Sequence, residues 1–583
     1  MNHLPHTQLD FPLNVYAHCI YLQQGSVDYL HFGFVEADED AWTVGAQLPQ
    51  ERSTALLLEN LPPAPCHILE IGLGLGTTAS LLIERGYQVT AMSPDAAQVS
   101  IAQQKSAKLT AHCQRFEEFQ AAPETYDCIL LQESAQYIRD LGLFNKAFDL
   151  LKPEGHMLLV DEFSILREFD DAPEGLHYLP FFIAHAERCG FSKIAEQDLS
   201  ARAAPTVDYL LTAIDLHRAR LLAELPISEE MLAGLVSHLQ RYRQHYQGGK
   251  YGYYLLKFNK IKAPRWRLTE VTAAEQDTVR GLFYNVFEHE LSREMWHWKY
   301  GDGRGMAIAA WQGADMVAHY GGILREISYF GAPKTAVQIA DVMVASKERG
   351  MLTRQGAYFL TGATFPETYA GYASPVLLGF GFPTARAIRT AEKLGLYSDV
   401  GKIVEMHWDV LNTRPALKTR VRHLQPLEIA RDQVIIDQLW AEMQPDFPEA
   451  MIGVKDWKFV QHRYYQHPHK CYELLLVFSR FTGKALGIAV ILRDGALCKL
   501  MDVIAPRKNL PLLLTQVRRM AGRWGMESVK AWITENYAPV FTHCEGTAHP
   551  TDVRIPHCVC YVGPETETVR GHWWLMWGDT DFM

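Results

Sequence analysis

The chain of 583 residues carries 56 Lys and Arg against 67 Asp and Glu, a formal net charge of −11, with 48% hydrophobic and 21% charged residues. That hydrophobic fraction excludes a disordered chain, and the acidic balance argues against a non-specific nucleic-acid binder, which gathers Lys and Arg against phosphate. At about 150 residues per domain the length allows three or four domains. No apolar run approaches the ~18 residues of a membrane span. The start, Met1-Asn2-His3-Leu4-Pro5-His6, lacks the basic and apolar regions of a signal peptide. The ten cysteines are irregularly spaced, which suits free thiols in a reducing compartment. These features predict a soluble, cytoplasmic, multidomain protein, with neither membrane nor nucleic acid expected as partner.

Residues 1–260 alternate strand-like apolar runs with helical stretches. The runs are His67–Ile71, Gln88–Met92, Cys128–Leu131 and His156–Val160, the last preceded by a turn at Lys152-Pro153-Glu154-Gly155. Such alternation predicts βαβ units and a parallel sheet. Glu70-Ile71-Gly72-Leu73-Gly74-Leu75-Gly76 joins the first run to a helix over Thr77–Glu84. Glycines there let the backbone turn tightly and pass close to a ligand. Residues 205–245 read as helical and could lie over a site as a lid. Tyr251–Phe258 reads as a closing strand, and 259–266 as a short linker.

A Gly-x-Gly-x-Gly turn preceded by an acid, between strand and helix, resembles motif I of the class I S-adenosylmethionine (SAM) methyltransferases. The resemblance spans about residues 60–260. It implies a Rossmann-like domain over 1–260 that holds SAM at Glu70, Gly72, Gly74 and Gly76. In that family an acid ends the second strand and binds the ribose; here Ser93 stands there, so either Ser93 or Asp95, two residues on, takes the contact. Phe116 and Glu117 follow the third strand and would flank the adenine. Gln132 and Glu133 end the fourth, facing the transferring methyl group. Glu133 is the first candidate for orienting the acceptor or removing its proton; its alternative role is a buried polar cap for a helix. His31, in Leu30-His31-Phe32-Gly33, is either a second acid/base group or a packing residue. The Asn/Asp-Pro-Pro-Tyr signature of nucleic-acid and protein amide methylation is missing, which points to a small acceptor.

Two further α/β blocks follow, 266–412 and 413–583, and they echo one another. Lys299-Tyr300 is matched by Arg463-Tyr464, and Ala340-Asp341-Val342-Met343-Val344 by Met501-Asp502-Val503-Ile504-Ala505. Echoes at nearly one spacing suggest a duplication. In the first block a strand at Ile339–Ala345 feeds a basic turn and a helix over about Leu352–Ala363, an order that makes a pyrophosphate cradle. A strand at Val376–Phe382 and a helix ending Ala391–Tyr397 come next. This order resembles the GNAT superfamily of acyl-CoA N-acyltransferases. It implies acetyl-CoA or another acyl-CoA held by Val344, Arg349, Gly350, Arg354 and Gly356. The family's thiolate-protonating tyrosine would fall on Ala391, so Tyr397 or a water would supply that proton. In block three the matching turn, Ala505–Pro511, has no glycine, which marks a degenerate second GNAT-like half. His557-Cys558-x-Cys560 is too tight for a tetrahedral zinc site, and no metal is expected. The expectation is therefore an α/β chain: a Rossmann-like methyltransferase domain followed by two GNAT-like halves. Two functions remain open. One is a bifunctional methyltransferase and N-acyltransferase for an amine or hydroxyl metabolite. The other is a methyltransferase whose GNAT-like region is an inactive binding or scaffolding module.

Overall fold

Apolar runs of the first 260 residues become the middle of a seven-stranded sheet. Its strands are β1 (His67–Ile71), β2 (Gln88–Ser93), β3 (Thr110–Cys113), β4 (Tyr126–Gln132), β5 (Leu151–Ser164), β6 (Phe191–Asp198) and β7 (Tyr251–Lys260). The computed structural model describes residues 4–581 except 167–174, 350–352, 373, 413–416 and 425–428, and the chain clusters into two units, Met1–Arg267 and Leu268–Met583. In the first unit the strand order is β3-β2-β1-β4-β5-β7-β6, with β1 to β5 parallel and β7 antiparallel to both its neighbours. Ile68, Leu69, Ile129, Leu130, Leu158 and Leu159 are all buried, as strands covered on both faces require. Order reverses between β1 and β4, and the crevice beyond the carboxyl ends of such strands is where open α/β sheets bind ligands.

Helices α1 (Leu13–Gln24), α2 (Thr77–Glu84), α3 (Ala96–Lys105), α4 (Pro205–Glu224) and α5 (Glu229–Gln247) complete what positions the site. Pro205 opens α4, and the Ser228 hydroxyl caps α5 by accepting from the Met231 N–H. Val15 and Ile20 of α1 pack with Val207, Leu210 and Ile214 of α4 and with Leu232, Leu235 and Leu239 of α5. The turn expected at Lys152–Gly155 is instead the irregular start of β5: Glu154 takes a φ of 62° and the β4–β5 register slips between Tyr126 and Cys128. The expected linker is also anchored. Asn259 and Lys260 belong to β7, the Ile261 N–H donates to the Gly190 carbonyl, and Arg267 pairs with Asp149 at 2.8 Å.

In the second unit β8 (Arg267–Glu270), β9 (Gly305–Gln312), β10 (Asp315–Tyr329) and β11 (Ala332–Val344) pair successively, β9 to β11 as an antiparallel meander. Helix α6 (Arg293–Tyr300) precedes the meander; α7 (Ala357–Tyr369) carries the chain to β12 (Val376–Phe380), parallel to β11, and α8 (Ala385–Leu394) follows. α7 starts later than the sequence suggests, because Thr353–Gly356 close a turn first, with the Gly356 N–H donating to the Thr353 carbonyl.

The remaining strands are β13 (Tyr397–Asp409), β14 (Thr419–His423), β15 (Met451–Gly453), β16 (Glu473–Ser479), β17 (Ala485–Asp494), β18 (Leu497–Ile504), β19 (Ser528–Thr534), β20 (Thr547–Cys558) and β21 (Trp573–Trp574). Strands β16 to β18 repeat the meander, and helix α9 (Leu510–Arg523) repeats the crossover to a parallel strand, β19. The sequence echoes fall at matching places: the Tyr300 hydroxyl donates to Asp341 at 2.8 Å and the Tyr464 hydroxyl to Asp502 at 2.9 Å. Strands are also exchanged. β13 lies between β19 and β20, while β15 and β21 extend the earlier sheet beyond β10. Both sheets of this unit therefore draw strands from both sides of residue 412, the boundary expected from sequence.

Candidate active site

Beyond Ile71 the chain turns through Gly72, Gly74 and Gly76 with φ of 85°, 52° and 75°, and α2 begins at Thr77. Only glycine adopts that backbone freely. Their surroundings differ. A Cβ on Gly72 would stand 2.5 Å from the Ser134 Cβ, and one on Gly76 would overlap the Cβ of Ala102 on α3. At Gly74 a Cβ meets nothing within 4 Å. Two of the three glycines thus allow close packing of neighbouring elements, and Gly74 alone faces open space. The sequence assigns all three to the ligand.

That space is a cavity of about 720 Å³, lined at its base by Ile71–Leu75, Met92–Asp95 and Gln132–Ser134, the carboxyl ends of β1, β2 and β4. Residues 28–33 and parts of α1, α4 and α5 also line it, so the expected lid helices do border the cavity. Four lining side chains hold buried polar atoms without a partner: Glu70 Oε2, Asp95 Oδ2 and Gln132 Nε2 near the strand ends, and the Tyr209 hydroxyl on α4. Buried polar atoms are nearly always hydrogen-bonded, so this set fits a ligand that supplies donors and an acceptor. Glu70 is 2% exposed, and burial pushes its carboxyl up to about 8.

Between the two ribose candidates the local bonding differs. Ser93 is committed, its hydroxyl donating to Gln98 Oε1 at 2.9 Å and accepting the Asp95 N–H at 3.1 Å. Asp95 uses only Oδ1 to cap α3, accepting from Ala97 and Gln98. Phe116 is buried on the cavity wall and Glu117 is exposed at it; Lys146 donates to the carbonyls of both at 2.6 and 2.9 Å.

Glu133 follows β4 in a left-handed conformation, φ 53°, which costs a non-glycine residue strain of the kind that gathers at functional sites. Its Oε1 accepts from the Phe32 N–H and from the Tyr253 hydroxyl, both at 2.6 Å. Burial pushes this carboxyl also up to about 8. His31 lines the cavity, but both ring nitrogens are occupied. Nδ1 lies 2.9 Å from the Phe32 carbonyl, a pure acceptor, and Nε2 lies 3.1 Å from the Thr54 hydroxyl. Burial lowers the ring to about 4, so it stays neutral and buttresses the segment that bonds Glu133.

Sequence reasoning missed Glu162, Tyr209 and Tyr253. Glu162, at the end of β5, lines the cavity and accepts from the Tyr246 hydroxyl at 2.6 Å. Tyr209 of α4 lines it as well. Tyr253 had a signal in the aromatic alternation of Tyr251–Tyr254; the other two had none that local pattern could supply.

The second unit contains a cavity of about 1050 Å³ whose lining includes Val344, Arg349 and Tyr397 together with Lys299, Asp341 and Asp581. Arg349 Nε donates to the Val344 carbonyl at 3.0 Å. Tyr397 is half-buried, and burial holds its hydroxyl well above the usual tyrosine range. Lys299 bridges Asp341 at 2.8 Å and Asp581 at 3.1 Å. Arg354 and Gly356 are not among the residues lining this cavity: Arg354 lies over the Phe359 ring, and Gly356 caps α7. Gly350 lies outside the described residues. Among the described residues no group of three His, Cys, Asp or Glu is arranged to hold a metal, and the Cys558 and Cys560 sulfurs, 3.3 Å apart, are free thiols.

Residues 46–204 match the family model described as a methyltransferase domain. No curated protein matches the chain. Among solved structures it is similar to the cyclopropane synthase MmaA2 from Mycobacterium tuberculosis, with 17% identity over 44% of this chain and 93% of that one, at a TM-score of 0.37. The [4+2]-cyclase SpnF gives 19% identity, 42% and 92% coverage and a TM-score of 0.37. Phosphoethanolamine N-methyltransferase 2 of Haemonchus contortus, solved with S-adenosyl-L-methionine, gives 17%, 42%, 57% and 0.35.

Proposed function

We propose that the first unit is a SAM-dependent methyltransferase acting on a small molecule. The observation that carries this reading is the trio of unpartnered buried atoms, Glu70 Oε2, Asp95 Oδ2 and Gln132 Nε2, around the open face of Gly74 at the strand-order reversal. The family match over residues 46–204 supports it. SAM, when bound, supplies a methyl group on a sulfonium sulfur. Glu70 and Asp95 offer carboxylates to the donors of such a ligand, Gln132 offers an N–H, and Gly74 leaves the space clear. Glu133, fixed by Phe32 and Tyr253 through one oxygen, orients the acceptor or takes its proton, so that the acceptor's lone pair can bond the methyl carbon while the departing electron pair stays on sulfur. Calorimetry on the full chain with SAM and with its demethylated product tests the assignment. Micromolar binding that Gly74→Val abolishes is the expected result; equal binding by Gly74→Val overturns it.

For the second unit we propose that an acyl-CoA occupies the 1050 Å³ cavity at Val344 and Arg349, with N-acyl transfer to an amine as the chemistry. Tyr397 on the same wall would supply the leaving thiolate's proton. Ala391, where that acid is expected, favours the second reading, a binding module without transferase activity. Calorimetry with acetyl-CoA against Arg349→Ala separates binding from none, and acetyl-CoA turnover separates the two readings.

A further inference from the structure

The acceptor end of the first cavity has a chemical character that narrows the substrate class, on the reading that SAM occupies its glycine end. Seven carboxylates line the cavity against one arginine, Arg115, and no lysine among the described lining residues. Five of these carboxylates lie elsewhere on the chain: Asp10 and Asp28 in the N-terminal segment, Glu70 on β1, and Asp95 and Glu117 after β2 and β3. The other two, Glu133 and Glu162, end β4 and β5. Phe32, Tyr16, Tyr209 and Tyr242 line the same cavity from the N-terminal segment, α1, α4 and α5. One feature among them is unpaid: the Tyr209 hydroxyl is buried without a hydrogen-bond partner, in a residue only 3% exposed. Evolution of a bare hydroxyl into such a place is costly unless a ligand completes it.

From this juxtaposition we infer that the methyl acceptor is a small organic cation, an amine that is protonated in solution, held by the Glu133 and Glu162 carboxylates within an aromatic wall and met by the Tyr209 hydroxyl. Aromatic faces attract ammonium groups, and a bound ammonium draws a buried carboxyl such as that of Glu133 into its ionised, attracting form. A phosphorylated or carboxylate acceptor would bring negative charge against these two acids, with Arg115 the one Lys or Arg among the described lining residues. A neutral hydroxyl acceptor would gain a hydrogen bond from one of them but no charge attraction. Glu162 keeps its place through the Tyr246 hydroxyl, and Glu133 through Phe32 and Tyr253, so both acids are fixed before any ligand arrives. Both bonds to Glu133 fall on Oε1.

The test uses the full chain and ligands that cannot react. Binding of S-adenosylhomocysteine is measured first by calorimetry; its absence overturns the cofactor assignment, and the acceptor inference with it. With that ligand saturating, choline is compared with 3,3-dimethylbutan-1-ol, its neutral isostere. Choline should bind at least about tenfold more tightly. Glu162→Gln should weaken choline about tenfold while leaving the affinity for S-adenosylhomocysteine within about twofold. Tyr209→Phe should weaken dimethylaminoethanol, whose protonated nitrogen has an N–H to donate, more than choline, which has none. Equal affinity for choline and the isostere, or no binding of either cation beside bound S-adenosylhomocysteine, overturns the inference alone. Should Glu162→Gln fail to fold, the isostere comparison on the unaltered chain still decides.

Discussion

At Gly76 an added Cβ overlaps Ala102, at Gly72 it stands 2.5 Å from Ser134, and at Gly74 it meets open space, so the three alanine variants should separate. Each pays about 1–2 kcal/mol for the left-handed backbone. Gly72→Ala and Gly76→Ala add overpacking of roughly 1–3 kcal/mol and should melt markedly lower. Gly74→Ala should lose little beyond the backbone term yet bind SAM more weakly. Thermal melts beside calorimetry check this; equal melting of all three would contradict the packing account. Glu70 gives a pH dependence. Burial holds it at about 8, above the ~4.3 of a free glutamate, so between those values the folded chain binds the extra proton. Its contribution to stability is therefore present below about 4.3 and is lost as pH rises through about 8. A cationic ligand favours the carboxylate, so SAM binding at pH 7 should release protons and tighten as pH rises toward 8. Calorimetry in buffers of different ionisation heat measures the release, which Glu70→Gln should reduce.

Strand exchange makes the second unit cooperative. β13 is paired on both edges by strands beyond residue 412, so a fragment 266–412 would carry it with unsatisfied backbone on both sides. That fragment should fail to fold, whereas 263–583 should show one cooperative transition by circular dichroism. A folded 266–412 would refute the pairing argument. The last residues take part as well. Asp579 is fully buried, 2.9 Å from Arg325 and 3.7 Å from Lys455, which also bonds Asp502 at 2.7 Å. Asp579→Ala leaves two buried cations short of a partner, a loss expected to cost about 3–5 kcal/mol. Urea unfolding of the second unit should show it; a loss under about 1 kcal/mol would mean that Asp502 and water compensate.

For the whole chain, the anchoring of Ile261 and Arg267 on the first unit moves the useful cut from Lys260 to Arg267. A chain of residues 1–267 should fold, bind SAM as the full chain does and melt higher than 1–260, which loses Trp266, 3% exposed, and the Arg267–Asp149 pair. The intact protein should take up one SAM and one acetyl-CoA. The turn of block three that answers to Arg349–Gly356 contains Pro506 and Pro511, each without an N–H for a phosphate, and no glycine for close approach. Two acetyl-CoA per chain would refute the single-site reading.

Local pattern by itself determined much of the first unit: the apolar runs, the Gly-x-Gly-x-Gly turn between strand and helix, and the acids beside it. These depend on spacing along a few residues, where periodicity and backbone conformation act. The repeated meander was legible for the same reason, through Tyr300 with Asp341 and Tyr464 with Asp502. Tertiary structure decided what depends on remote partners. Only Ser134 and Ala102, brought in from other elements, distinguish Gly74 from its neighbours. Only the remote Thr54 and the Phe32 carbonyl show both ring nitrogens of His31 to be occupied. Glu162 and Tyr209 reach one cavity, and Asp579 reaches Arg325, from opposite ends of long sequence intervals. Sequence sets which residues are apolar, charged or conformationally free; which of them meet is set by packing across distances that no local window spans.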